Sequence, residues 1–136
     1  MRTKETGFTL IELLVVIAVV SILMVIAIPS YQSYVLKSRR SEGLTTLQSI
    51  QMAQETFRAN NSTYGTLATV WGGVTATPNG YYNLAVANVT ATGYTLTATA
   101  QAGQANDNEK GTACSTLTLT AAAGTTTTTP SACWIK

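Results

Sequence analysis

Apolar positions along this chain follow three successive patterns. From Phe8 to Ile28 they are continuous, interrupted by one charge, Glu12. A helix of that length spans about 30 Å, the thickness of the bilayer hydrocarbon. Its side chains are apolar all round, which marks either a membrane span or a deeply buried helix. The rest of the chain is too small to bury such a helix, so the pattern predicts a membrane segment. After Pro29 the spacing changes. Leu44, Leu47, Ile50, Ala53 and Phe57 recur every three or four residues, among Lys37, Arg39, Arg40, Glu42, Glu55 and Arg58. That stripe predicts a helix with one face on a core and the other in water. One helix from about Phe8 to about Ala59, roughly 75–80 Å long, accounts for both patterns. Pro29 inside it removes a backbone hydrogen bond and predicts a kink or a hinge.

Residues 60–80 have no lasting period and several Gly, Asn and Pro, which predicts a loop. Strict alternation follows. Tyr82, Leu84 and Val86 share one face. Tyr94, Leu96, Ala98 and Ala100 oppose Thr95, Thr97 and Thr99. Leu117 and Leu119 alternate with Thr116, Thr118 and Thr120. These are half-buried strands. SACWIK at the end adds a short last strand, and the GTTTTTP run reads as a solvated loop that is plain or glycan-bearing. An antiparallel sheet of three or four strands, packed on the amphipathic half of the helix, buries both apolar faces. The expected fold class is α+β. Its parts are residues 1–7, a core or membrane helix over 8–28, an amphipathic half-helix over 29–59, and a loop with an antiparallel sheet over 60–136.

Charge and chemistry narrow the function. The 136 residues carry a net charge of +2 and no His. Beyond residue 59, Asp107 and Glu109 balance Lys110 and Lys136. Nucleic-acid binding draws on clustered Lys and Arg, so nucleic acid is an unlikely partner on this count. Trp71, Tyr81, Tyr82 and Trp134 offer rings for stacking. No metal-ligand spacing, Ser/His/Asp set or phosphate loop occurs, so the expectation is no enzyme, no cofactor and no metal. Asp107 and Glu109, in NDNEKG, read as part of a solvated turn. Cys114 and Cys133 are either a bridge in an oxidising compartment, closing a loop of about 20 residues, or two buried thiols. The positive charges flanking the apolar run barely favour either orientation. The cysteine pair then places residues after Pro29 outside the cytoplasm.

Two readings compete for the apolar run. Val25-Ile26-Ala27 imitates a signal-peptidase site, but the run is longer than a secretory signal needs. Glu12 is the other difficulty. An acid near the end of a membrane run is tolerated at the interface or serves a function. No Lys or Arg lies between residues 8 and 36 to pair with it. Cleavage after Gly7 would supply one cation, the new α-amino group of Phe8.

The basic MRTKETG, then Gly7, Phe8, Thr9, Glu12, the apolar run, Pro29 and Tyr31, resembles the leader and N-terminal signature of type IV pilins. The long helix, Thr-rich sheet and Cys133-Trp134 end are similar to the type IVa class, in particular its small minor pilins. The resemblance implies a structural subunit with no chemistry of its own. A prepilin peptidase/N-methyltransferase would cut between Gly7 and Phe8 and methylate Phe8. Glu12 would pair with the Phe8 amine of a neighbouring subunit. The region around Pro29 would be able to lose helicity, and a Cys114–Cys133 loop would lie outside the filament. The implied partners are membrane lipid, other pilin subunits and the inner-membrane assembly machinery. The implied location is the bacterial inner membrane, single-pass with a periplasmic head, and then the extracellular pilus, in adhesion or twitching motility. Many type IVa pilins carry a second proline in this helix, and this chain has none near Ser49. A type II secretion pseudopilin and a competence pilin that captures DNA are the alternative functions.

Overall fold

A computed structural model describes residues 7–134. Residues 1–6, part of the expected leader 1–7, and the last two residues lie outside that range. The chain divides into two compact units, up to Tyr34 and from Val35 onward.

In the first unit, α1 (Leu10–Asn60, continuing into the second unit) starts just after Thr9 and passes through Pro29 without ending. Every residue from Gly7 to Tyr34 is exposed. The apolar run thus has no partner among the described residues, and its burial calls for lipid or another copy.

The second unit is the head. Its core takes Leu47 and Ile50 from α1 and Tyr82, Leu84, Tyr94, Leu96, Ala98, Leu117, Leu119 and Ala121 from the sheet. The strands are β1 (Tyr82–Ala87), β2 (Gly93–Ala100), β5 (Thr116–Ala122) and β6 (Thr125–Thr129), in the order β1-β2-β5-β6 and antiparallel throughout. Between them, β3 (Asn108–Glu109) and β4 (Thr112–Ala113) form a small hairpin. The alternation read from the sequence holds in β1, β2 and β5, since burying one face of a pleated strand fixes every second residue.

Three local expectations change. The threonine run is strand β6, held in register by β5. β-Branched residues favour the pleated conformation even where both faces are polar. Ser131–Trp134 forms a 3-10 turn rather than a strand. Residues 60–80 contain a five-residue helix, α2 (Leu67–Trp71), closed by Gly72 in the left-handed conformation.

The buried face of α1 is also less apolar than the stripe predicted. It consists of Arg40, Gly43, Thr46, Leu47, Ile50 and Gln54, while Ala53 and Phe57 are half-buried. Gly43 is there for contact: a Cβ on it would stand 3.1 Å from the Tyr82 ring. Gln54, fully buried, imitates a strand. Its Nε2 donates to Gly65 O (2.7 Å) and its Oε1 accepts from Gly65 N–H (2.8 Å), which pins the start of the loop to the helix. Cys114 and Cys133 are bonded to each other. The bridge closes the β5–β6 hairpin and the final turn into one covalent loop.

Candidate functional site

The candidate assembly segment starts at Gly7, which is open on all sides, and Phe8, which is 87% exposed. Thr9 caps α1. Its Oγ1 accepts from Glu12 N–H (3.3 Å) and its carbonyl from Leu13 N–H (3.2 Å). The Thr-Leu-Ile-Glu spacing is that of a capping box. The sequence reading passed over this signal, although it is written in four consecutive residues. Only the threonine half of the box is made. The Glu12 carboxylate stays exposed, and no cation among the described residues stands within ion-pair distance. An acid in the first turn also suits the positive end of the helix dipole. Glu12 therefore has a local reason to be where it is and a carboxylate still open to a partner. The one other polar side chain of the run, Ser21, donates to Ile17 O (2.7 Å) and satisfies itself inside the helix. That makes the segment compatible with hydrocarbon. Pro29 lies one turn beyond Val25, whose carbonyl it deprives of an N–H donor.

The head holds a second cluster that the sequence reading placed in solvent. Asp107 and Arg40 are both buried, with side chains 1% and 2% exposed. Arg40 Nε and Nη2 donate to the two oxygens of Asp107 at 2.7 and 3.1 Å, and Nη2 also donates to Glu109 Oε2 at 3.1 Å. Arg40 Nη1 reaches Cys133 O (3.5 Å), Gln104 Nε2 donates to Leu36 O and the Tyr82 hydroxyl, and Lys37 stands 3.6 Å from Glu109. Burial pushes the Asp107 carboxyl above its ordinary range, against the pull of the Arg40 hydrogen bonds and charge. The Arg40 hydrogen bond, with further help from Lys37, holds Glu109 below its ordinary range. This network fastens α1 to the hairpin and the disulfide loop. NDNEKG looked like a turn because its cation lies 67 residues away in the chain.

The surface charge also differs from the count beyond residue 59. Helix α1 brings Lys37 and Arg39 onto the head, and the Arg39 guanidinium lies 4.6 Å above the Tyr81 ring. Lys110 is exposed at the tip of the β3–β4 hairpin. Tyr82 is wholly buried and is no surface ring, while Tyr81, Trp71 and Trp134 are half-buried. Lys136 falls outside the described residues. No group of three or more metal-binding side chains occurs among the described residues.

Comparison with known proteins follows this division. A family model described as "Type IV minor pilin ComP, DNA uptake sequence receptor" matches residues 29–118. One described as "Prokaryotic N-terminal methylation motif" matches residues 2–28. The fimbrial protein EcpC of Eikenella corrodens is 34% identical over 104 residues, covering 71% of this chain and 63% of that protein. The type IV major pilin protein PilA of Myxococcus xanthus is 35% identical over 65 residues, 48% of this chain and 30% of that protein. A fimbrial protein of Moraxella nonliquefaciens is 40% identical over 56 residues, 41% and 36% respectively. The chain spans less than two thirds of the length of each of these relatives.

Proposed function

Since the chain belongs to the type IV minor pilin ComP family, we propose that it waits in the bacterial inner membrane and is polymerised into a pilus through α1. In this reading the prepilin peptidase cuts after Gly7 and methylates the amine of Phe8. The single observation that carries it is the wholly exposed apolar run with one acid at its first turn, unpaired among the described residues, within the matched methylation motif. A span that buries nothing among the described residues needs lipid at one stage and neighbouring helices at the next. Glu12 is the one charge in that surface. A new amine on Phe8 of an adjacent copy satisfies it, and each incoming subunit is thereby set in register. Pro29 gives the helix a point where local unwinding loses one hydrogen bond fewer than elsewhere. The relatives above are pilus proteins, which favours a pilus over a secretion pseudopilus. Mass spectrometry of the mature chain tests the reading. The expected N-terminus is Phe8, one methyl group heavier than unmodified; a mature start at Ile28 would refute it.

A second reading rests on the family description, a DNA uptake sequence receptor, and on Arg39 stacked over Tyr81. A guanidinium on an aromatic face offers both charge and a stacking surface to a nucleic-acid strand. In this reading Lys37 and Lys110 add phosphate contacts. A gel shift of the full chain in neutral detergent, at low and moderate salt, decides it. The expected shift weakens with salt and with Arg39→Ala. No shift at low salt ends this reading and leaves the pilus subunit standing.

A further inference from the structure

The two edges of the four-stranded sheet are treated differently. In β1, Gln101 N–H donates to Tyr81 O (2.8 Å), so the odd-numbered residues bond to β2 and the even-numbered ones face outward. Three of those outward groups, on Tyr82 and Leu84 in the first half of β1, are taken. Thr77 N–H donates to Tyr82 O (2.9 Å), Leu84 N–H donates to Thr75 O (2.8 Å), and Tyr82 N–H donates to Thr77 Oγ1 (3.2 Å). At the other edge, Ala100 N–H donates to Ser115 O and Ala123 N–H to Thr92 O, which places the odd residues of β5 in the ladder with β2. Thr118, Thr120 and Ala122 then bond to Thr129, Thr127 and Thr125. Thr126 and Thr128 are left with N–H and C=O aimed out of the sheet. No backbone group among the described residues meets them.

Edge strands normally carry a Lys, a Pro, a bulge or a cover that prevents further pairing. Among the described residues, strand β6 carries none of the four over Thr125–Thr128; Trp134 Nε1 donates to the carbonyl of Thr129 at its end (3.3 Å). We propose that β6 is a docking strand for β6 of a second copy of this chain, antiparallel about a two-fold axis at Thr127. The open groups set the register. With Thr127 opposite its mate, Thr126 of one copy faces Thr128 of the other. Each such pair exchanges two hydrogen bonds, and every open group is satisfied. Centring on Thr128 would set Pro130, which has no N–H, opposite Thr126. Centring on Thr126 would set Gly124, a turn residue with φ of 80°, opposite Thr128. Every cross-strand neighbour in the favoured register is Thr on Thr, uncharged, so no like-charge repulsion opposes it. The contact is isologous and closes at two copies. Its area is far below that of a standard interface, so it depends on copies concentrated on one membrane or displayed along filaments.

Cysteine trapping on the full chain in neutral-detergent micelles tests the pairing. Across the axis the Thr127 Cα atoms would stand about 4.5 Å apart, within disulfide reach. The two Thr125 positions would be about 13 Å apart. Under mild oxidation Thr127→Cys is expected to give a covalent dimer, Thr125→Cys alone none, and Thr125→Cys mixed with Thr129→Cys a dimer again. A second experiment uses charge. Thr127 faces solvent, so Thr127→Lys should fold as the parent does but lose self-pairing, and mixing it with Thr127→Glu should restore pairing. No trapped dimer from Thr127→Cys overturns the proposal. So does an equal yield from Thr125→Cys alone, which would mean collision through the apolar helix, and so does failure of the charge swap to restore pairing.

Discussion

Removing Asp107 should unfold the head far more readily than its place in a polar turn suggests. Asp107→Ala deletes a carboxylate that is 1% exposed and accepts two Arg40 N–H bonds of 2.7 and 3.1 Å. The guanidinium left behind cannot neutralise itself. Breaking a buried pair by taking one partner costs about 3–5 kcal/mol. Arg40 keeps Glu109 and the Cys133 carbonyl as acceptors, so the lower end, about 3 kcal/mol, is expected. For a domain of this size each kcal/mol moves the melting temperature about 4–8 °C, which predicts a fall of about 12–24 °C. Tryptophan fluorescence during heating reads the head alone, because both tryptophans, Trp71 and Trp134, belong to it. Arg40→Met supplies the contrast. It strands a carboxylate that can take up a proton. With burial already pushing Asp107 upward and the Arg40 attraction gone, its folded pKa rises further above the unfolded value. The native state then binds more protons than the unfolded one, so the deficit of Arg40→Met shrinks as pH falls through that folded pKa. The deficit of Asp107→Ala has no such recovery. Arg40→Met combined with Asp107→Leu should approach the parent, since neither charge is then stranded. A deficit below about 1 kcal/mol for Asp107→Ala, typical of an exposed pair, would refute the account, as would a deficit in Arg40→Met that ignores pH.

Glu12→Gln is expected to leave cleavage after Gly7 intact but to keep the subunit out of filaments, checked by the mature mass and by immunoblots of sheared pili; normal incorporation would remove the proposed charge pair. Gln54→Leu strands both backbone groups of Gly65 and should destabilise the head by about 2–4 kcal/mol, read from the same melting curve. Glu109, held low by Arg40, contributes stability that is present above its unfolded pKa and lost as pH falls through its lower folded value. Glu109→Gln should therefore flatten the acid side of the pH–stability curve, apart from the opposite contribution of Asp107.

The sequence alone determined the parts whose signals are local and periodic. An unbroken apolar run must leave water whatever surrounds it, and strict alternation fixes which faces of β1, β2 and β5 are buried. The processing signature is likewise contiguous, and the Thr9 cap could have been read there too. Tertiary structure decided what depends on residues far apart. Arg40, one of several cations on a helix surface, is buried only because Asp107 returns to it after the chain has passed through two strands. Gln54 takes a core position because Gly65 presents both its backbone groups. The threonine run has no period of its own and becomes a strand because β5 offers it a ladder. Whether an edge is closed or open is settled the same way: residues 75–77 come back to cover the first half of β1, and no backbone group among the described residues returns to pair with the outer edge of β6. A carboxylate or a bare N–H has the same letter in the sequence whether it meets water or a partner. Only the fold sets its desolvation against its hydrogen bonds.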